Sequence, residues 1–227
     1  MSTVATATSH EVRKAQHGEE TYAVVLYFDE DTEERLFELW AALDVHGVDS
    51  AARTYGAGYR PHLTLAIVDA PEAGRLVEAL EEPLADAVGL PVTLASLGFF
   101  VPYPCPAYLA VTPTSRLLAL HEQVYDALDG TLCWDHYLPG SWVPHSTLAM
   151  RVDLTSPVAH VVSKAALPLR ATVSAAHLVE LPKHGGVGST LARFGLDAPI
   201  PSQPEARHKA GPRHRRVRRL TASIPLR

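Results

Sequence analysis

The sequence predicts a mixed α/β (α+β) protein with a bilobal, duplicated fold, in which two similar strand–helix–strand–helix–strand lobes surround a central cleft. One observation behind this prediction is that strand-like and helix-like apolar patterns follow one another in the same order twice. A second is that the hexad PHLTLA at residues 61–66 returns as PHSTLA at residues 144–149, with five of six positions identical. Because a repeated pattern indicates a duplicated unit, we expect lobes related by a pseudo-twofold axis.

The first half is predicted to contain strands at residues 22–28, 62–68 and 92–100, with helices at residues 29–43 and 71–80 between them. The first strand, YAVVLYF, is an uninterrupted apolar run rich in β-branched and aromatic residues. The first helix places Leu36, Leu39, Trp40 and Leu43 at the i, i+3, i+4, i+7 spacing of one helix face. Acidic residues near its start favour the positive N-terminal end of the helix dipole.

The second half is predicted to contain strands at residues 107–111, 145–152 and 169–181, the last as one strand or a pair, with helices at residues 115–128 and 157–165. Ser115 is predicted to cap the first of these helices, because its hydroxyl can accept a hydrogen bond from a free backbone N–H of the first turn. Ser115 lies 30 residues before His145, and Thr32, near the start of the first helix, lies 30 residues before His62. The equal spacing supports the duplication.

The composition predicts an ordinary globular protein, since 47% of the 227 residues are hydrophobic and 20% are charged. No stretch approaches the ~20 apolar residues that cross a bilayer, and the polar N-terminus lacks the apolar core of a secretory signal. We therefore expect a cytoplasmic protein with no membrane partner. Residues 1–20 are predicted to be a flexible leader, residues 21–196 a two-lobed domain with lobes at about 21–101 and 102–196, and residues 197–227 a disordered basic tail.

Charge is divided unevenly along the chain. Residues 204–227 contain eight Lys or Arg and one acid, a net charge of +7, whereas the other 203 residues carry 12 basic and 24 acidic residues, a net charge of -12. Clustered basic residues can hold a polyanion such as RNA by displacing its counterions. A disordered segment that aids solubility, or that contacts the acidic body, is the alternative interpretation of the tail.

The two hexads carry the residues that predict chemistry. In a strand, residues i and i+2 project from the same face, so His62 stands beside Thr64 and His145 beside Thr147. An ordinary imidazole has a pKa of about 6.5, so near neutrality one histidine can be neutral while the other is protonated. One could then take a proton from an attacking water or hydroxyl while the other protonates the departing oxygen of a phosphodiester. The threonine hydroxyls could bind the non-bridging phosphate oxygens.

This reaction requires neither a metal nor a cofactor, and none is predicted. Two histidines without a third ligand at a suitable spacing give poor support for a zinc site. The near-symmetric hexads do not distinguish whether His62 or His145 is the acid. A purely structural role for both histidines is the alternative hypothesis.

Other candidate residues have weaker support. Tyr59, Arg60 and Trp142 precede the hexads and are predicted as substrate contacts by stacking or charge, with packing as the alternative. Tyr27, in the first strand, is predicted to belong to the core. His177 lies in no motif and is predicted to have a structural or surface role.

The sequence resembles a known family. The two PHxTLA hexads, residues 117–121 in the helix between them, and LPGSWVPH at residues 138–145 are similar to the 2′-5′ RNA ligase-like family of the two-histidine (HxTx) phosphoesterase superfamily. The resemblance covers about residues 22–181. It implies a bilobal α/β fold with both His-x-Thr motifs in one cleft, and metal-independent chemistry on 2′,3′-cyclic phosphates or 2′-5′ linkages of RNA or nucleotides.

The resemblance also implies roles for individual residues. The family's catalytic histidines fall on His62 and His145, and its phosphate-binding threonines fall on Thr64 and Thr147. We expect an RNA 2′,3′-cyclic phosphodiesterase that hydrolyses more than it ligates, because water is the abundant nucleophile. It would act as a monomer on RNA ends or a nucleotide. The alternatives are an RNA-binding or regulatory protein that keeps the fold without the reaction, and a phosphoesterase for a small non-RNA cyclic nucleotide.

Overall fold

The computed structural model describes residues 20–56, 58–101, 105–153, 155–182 and 188–195. Within them lie the strands β1 (Glu20–Phe28), β2 (His62–Ala70), β3 (Pro91–Phe99), β4 (Ala107–Val111), β5 (Leu132–Cys133), β6 (His145–Ala149), β7 (Leu169–Leu181) and β8 (Ser189–Phe194). The helices are α1 (Glu30–Val45), α2 (Ala51–Tyr55), α3 (Ala73–Leu84), α4 (Ser115–Ala127) and α5 (Val158–Val162), with a 3₁₀ turn at Asp135–Tyr137. The predicted leader, except Glu20, and the predicted tail at residues 197–227 lie outside the described residues.

The strands form one antiparallel sheet with the order β5-β2-β1-β7-β3-β4-β6, and β8 pairs with the free side of β7. Strand β7 is long enough to join the two lobes. Its residues 173–181 pair with β1, and its residues 169–172 pair with β3. The predicted mixed α/β, bilobal architecture is confirmed.

The third strand of each half is exchanged between the lobes. In one lobe, β1 pairs with β2 from its own half and with β7 from the other half. In the other lobe, β4 pairs with β6 from its own half and with β3 from the first half. The predicted lobe boundaries follow the repeat along the chain, whereas strand pairing crosses them. An antiparallel ladder accepts a strand from either half. Neither lobe therefore completes its sheet without the other half.

A continuous hydrophobic core lies between the sheet and the helices. Alternation along the strands directs apolar side chains such as Leu63, Leu65, Leu109 and Leu148 into this core, where all four are fully buried. Burial of a leucine of this kind stabilises the fold by roughly 1.5–3 kcal/mol. In the part of the chain that the structure describes, no helix has both the length and the apolar character needed to cross a membrane.

Several boundaries differ from the sequence prediction. Helix α4 begins at Ser115, but its cap is Thr114, whose hydroxyl accepts a hydrogen bond from the Leu117 N–H at 3.2 Å. The prediction of Ser115 as the cap is wrong by one residue, because Thr114 has the extended backbone of a cap and Ser115 is already helical. The elements α2, β5, β8 and the 3₁₀ turn were not predicted, since short segments contain too few residues for a periodic pattern to emerge.

Asp29 links the start of α1 to β7. Its carboxylate accepts hydrogen bonds from the Thr172 N–H at 2.6 Å and the Thr32 N–H at 3.0 Å. Burial raises the pKa of this carboxyl, but the hydrogen bonds from Thr172 and Thr32 outweigh burial and hold the pKa below its ordinary value. The ionised form is therefore the one that the folded protein stabilises.

We predict that Asp29→Asn lowers the free energy of unfolding at pH 7 by about 1–2 kcal/mol, because an amide cannot reproduce both charge-assisted bonds. A group with a lowered folded pKa contributes its stability above the unfolded value, about 3.9 for aspartate, and loses it as the pH falls through the folded value. Chemical denaturation between pH 7 and pH 3 should therefore show the variant and the parent converging at low pH. Glu38→Gln, which changes an exposed carboxyl on the same helix, is the control. A difference that does not depend on pH would contradict this account.

Candidate active site

The two hexads lie on two strands that are not adjacent in the sheet order. His62 is the first residue of β2 and His145 the first residue of β6, and these two strands contact each other. Both histidines, with Thr64 and Thr147, are partly exposed, whereas the residues between and after them in each strand are buried. The structure thus places each histidine and its threonine on one strand face, as the i, i+2 spacing predicts.

Identical hydrogen bonds orient the two imidazoles. Nδ1 of His62 lies 2.7 Å from the Arg60 carbonyl oxygen, and Nδ1 of His145 lies 2.7 Å from the Val143 carbonyl oxygen. Because a carbonyl oxygen can only accept, Nδ1 carries a hydrogen in both rings. In the neutral state the remaining nitrogen, Nε2, then holds a lone pair. Each histidine therefore leaves Nε2 as the ring nitrogen that can exchange a proton.

Burial lowers the pKa of both histidines. For His62, the positive charges of a protonated His145 and of Arg60 lower it further, and the Arg60 carbonyl opposes them. For His145, the Val143 carbonyl opposes burial. A proton on His145 therefore disfavours a proton on His62.

Aromatic rings and a cation surround His62. The ring centroids of Tyr59 and Tyr27 lie 5.2 Å and 6.1 Å from that of His62. The guanidinium carbon of Arg60 lies 4.1 Å from the centre of the Tyr27 ring, and its Nη2 forms a 2.7 Å ion pair with Glu33. Tyr59 and Arg60 thus lie beside His62, where they were predicted as substrate contacts.

The burial of Tyr27 differs from the sequence prediction. It is only partly buried and packs against a small apolar cluster, Ala23, Val25 and Val179, rather than belonging to the main core. The run YAVVLYF is apolar on both faces of β1, so alternation could not show which residues face the cleft. The prediction of Tyr27 as a core residue is therefore wrong.

A second aromatic pair surrounds His145. The ring centroids of Phe100 and Tyr108 lie 4.9 Å and 5.1 Å from that of His145. Tyr108 lies across Gly98 of the neighbouring strand, where a Cβ atom would approach the tyrosine ring to 2.5 Å. Only glycine allows this approach without displacing the ring. Sequence reasoning missed both aromatic residues, because they belong to no repeated motif.

Two tryptophans form hydrogen bonds with the backbone of the motif strands. The indole N–H of Trp142 donates to the Thr64 carbonyl oxygen at 3.1 Å, and that of Trp40 donates to the Thr147 carbonyl oxygen at 3.2 Å. Strand β6 is an edge of the sheet, and β5 pairs with β2 only at Val68 and Asp69. The carbonyl groups of both threonines thus receive a hydrogen bond that no neighbouring strand supplies. Each indole comes from the opposite half of the chain.

A further set of contacts holds Trp142 and Thr64. The Trp142 ring stacks on His121 with centroids 4.1 Å apart and planes 3° apart. A ring nitrogen of the buried His121 lies 2.9 Å from the Tyr137 carbonyl oxygen, and the Tyr137 hydroxyl interacts with the Thr64 side chain. Burial raises the pKa of Tyr137 to about 12, so its hydroxyl stays neutral. Trp142, predicted as a substrate contact, has its N–H and one ring face occupied within the protein.

Among the described residues, no group of three or more His, Cys, Asp or Glu side chains is arranged to hold a metal ion. The site's polar groups are instead two imidazoles and two hydroxyls. This donor set can exchange protons and donate hydrogen bonds to an anion.

Comparison with known proteins identifies the family. The model of the 2′-5′ RNA ligase superfamily matches residues 32–185. The chain belongs to this superfamily. The predicted family is thereby confirmed, and with it the broader assignment of the chain to the two-histidine phosphoesterases.

Solved structures share the fold of this superfamily member at low sequence identity. TT0787 of Thermus thermophilus is 18% identical, with a TM-score of 0.55 over 77% of this chain and 96% of its own. Escherichia coli LigT in complex with 3′-AMP is 19% identical, with a TM-score of 0.53 over 79% and 99%. The complex of the same protein with NADP⁺ is 16% identical, with a TM-score of 0.52 over 77% of this chain and 96% of its own. Among curated proteins, none matches the sequence.

We predict that Trp142→Phe and Trp40→Phe each lower the free energy of unfolding by about 1–3 kcal/mol, because each leaves a carbonyl of a motif strand without its donor. Turnover should fall in both variants, since the histidine on the same strand would be less firmly positioned. Chemical denaturation and steady-state kinetics measure the two effects. Tyr125→Phe, on the partly exposed face of α4, is the control. Unchanged turnover in both tryptophan variants would show that the indole bonds do not position the site.

Proposed function

We propose that the chain is a phosphodiesterase that hydrolyses 2′,3′-cyclic phosphates or 2′-5′ linkages of RNA ends or nucleotides by metal-independent acid–base catalysis. The observation that carries this proposal is the matched pair of imidazoles. His62 and His145 each use Nδ1–H to bond a backbone carbonyl, and each leaves Nε2 available beside a threonine on the same strand face. A binding protein would have no need for two proton-exchanging groups held in the same way.

The proposed reaction on a 2′,3′-cyclic phosphate has one displacement at phosphorus. The neutral histidine accepts a proton at Nε2 from water as the water oxygen bonds to phosphorus. The bond from phosphorus to one ribose oxygen breaks, and the protonated histidine donates its Nε2 proton to that oxygen. The products are a phosphomonoester and a free ribose hydroxyl, with the protonation states of the two histidines interchanged. Exchange with solvent then restores the starting state.

The threonines would stabilise the negative charge. Thr64 and Thr147 occupy the same strand faces as the histidines, so their hydroxyls can donate hydrogen bonds to the non-bridging phosphate oxygens. Repulsion between the two imidazoles supports the required mixed state, because it favours one proton on the pair over two.

The nucleotide character of the substrate rests on the family and on similar structures. The E. coli LigT structures contain 3′-AMP, NADP⁺ or phosphate. We extend this ligand class to the present chain as part of the proposal. A nucleotide or an RNA end is accordingly the partner that we propose.

We predict that purified protein in excess EDTA hydrolyses at least one of 2′,3′-cyclic nucleotides, RNA with cyclic ends and 2′-5′ oligonucleotides. His62→Ala and His145→Ala should each lower kcat by roughly 10²- to 10⁴-fold, the usual contribution of one positioned acid or base. Thr64→Ala and Thr147→Ala should have smaller effects. Because the base must be neutral and the acid protonated, and both pKa values are lowered, kcat/KM should be bell-shaped with its maximum below about pH 6.5.

His160→Ala, which removes an exposed histidine on α5, is the matched control and should retain full activity. Two results would contradict the proposal. One is activity that EDTA abolishes and zinc or manganese restores, which would make the histidines metal ligands. The other is a His62 or His145 variant with parental turnover.

A further inference from the structure

A row of residues extends from the candidate site across three more strands. Thr64 of β2 lies opposite Val25 of β1, Val25 lies opposite His177 of β7, and His177 lies opposite Arg193 of β8. Residues directly opposite in antiparallel strands project from the same face of a sheet. Arg193 therefore lies on the face that carries Thr64. With strands about 4.8 Å apart, its backbone is about 14 Å from that of Thr64.

The guanidinium groups of Arg60 and Arg193 act electrostatically on Tyr27 and His177. Arg60 lies 4.1 Å above the Tyr27 ring, whose centroid is 4.8 Å from that of His177. Burial lowers the pKa of His177 to about 4, with further contributions from the charges of Arg193 and Arg60. Both cations also oppose the burial that raises the pKa of Tyr27. Tyr27 and His177 thus lie close to two positive charges, and Tyr27 lies beside His62.

Of these two arginines, Arg193 is the one without an ion pair to a carboxylate in the described part of the chain. Arg60 is paired with Glu33 at 2.7 Å, whereas Arg193 has no Asp or Glu oxygen within ion-pair distance in the described part of the chain. His177 adds no charge at neutral pH, and its Nδ1 is 3.5 Å from the Thr190 hydroxyl. An exposed cation of this kind contrasts with the surrounding chain, because residues 1–203 carry a net charge of -12.

Strand β8 lies outside residues 32–185, to which the family model extends. Arg193 therefore lies outside the residues that the family model matches. Arg193 lies on the same sheet face as Thr64, but its backbone is about 14 Å away. At that distance Arg193 is better placed to bind a second negative group of the substrate than the phosphate that is cleaved.

We propose that Arg193 and Arg60, above Tyr27 and His177, form a second anion subsite that binds the 5′-phosphate of the nucleotide whose cyclic phosphate is cleaved. This inference rests on the proposed function and specifies its substrate. The 5′-phosphate is a monoester in a mononucleotide and a diester in an RNA chain, and both carry the negative charge that the subsite recognises.

The test compares three substrates with the same adenosine 2′,3′-cyclic phosphate end: one with a 5′-hydroxyl, one with a 5′-phosphate and a dinucleotide. The kcat/KM of at least one phosphate-bearing substrate should exceed that of the 5′-hydroxyl substrate by about 10-fold, as expected for a charge-assisted hydrogen bond. Arg193→Gln should bring this ratio close to 1, and Arg193→Lys should retain part of it. Higher salt should reduce the ratio, because the cation is exposed.

Arg75→Gln, which removes an exposed arginine on α3, is the control and should preserve the ratio. Preference for the mononucleotide would indicate a site for a free 5′-phosphate, and preference for the dinucleotide would indicate a site that accepts a chain. Equal kcat/KM values for all three substrates, or an Arg193→Gln variant with the parental ratio, would overturn the inference.

Binding of adenosine 2′-phosphate and adenosine 2′,5′-bisphosphate, measured by calorimetry, separates this inference from the proposed function because it requires no turnover. Tighter binding of the bisphosphate, lost in Arg193→Gln, would support the subsite even if no cyclic phosphate were hydrolysed. Failure of hydrolysis would count against the proposed function alone, and equal binding of the two nucleotides would count against the subsite alone.

Discussion

The two motif strands, β2 and β6, contact each other where the molecule carries its histidines, and a threonine carbonyl group of each accepts a hydrogen bond from the opposite half of the chain. The indole N–H groups of Trp40 and Trp142 donate to these carbonyls, on Thr147 and Thr64 respectively. A buried polar backbone group costs free energy when it lacks a partner, so each indole bond stabilises the strand that accepts it. Since each tryptophan comes from the opposite half, the same bonds also join the halves.

The electrostatics of the site follow from this juxtaposition. Burial lowers the pKa of both imidazoles, and a positive charge on His145 lowers that of His62 further. The carbonyls of Arg60 and Val143 fix the tautomers without adding a charge, so that both Nε2 atoms remain available. Exchange of the third strands also helps to position the site. Residues 169–181 pair with both lobes and thereby hold the two motif strands in one sheet.

Sequence reasoning succeeds where a pattern is local. The i, i+2 spacing in each hexad placed His62 beside Thr64 and His145 beside Thr147 on one strand face, because strand geometry alone decides that. The helical spacing of Trp40 identified it as a core residue but not as a hydrogen-bond donor to Thr147, since that contact joins residues 107 positions apart. The same limit explains Tyr108 and Tyr137, which lie beside His145 and Thr64, and Arg193, which strand pairing places on the same sheet face as Thr64. Strand exchange also has no local signature, because either half supplies the same hydrogen-bonding groups.

A crystal structure of the protein with adenosine 2′-phosphate, the expected product of a cyclic phosphodiesterase, would show whether both histidines bind one phosphate. We expect one phosphate between the two strands, with Nε2 of His62 and Nε2 of His145 each within about 3 Å of a phosphate oxygen and both threonine hydroxyls in contact with it. A phosphate bound by one histidine alone, or a separation of more than about 10 Å between the two Nε2 atoms, beyond their joint reach of one phosphate, would contradict it.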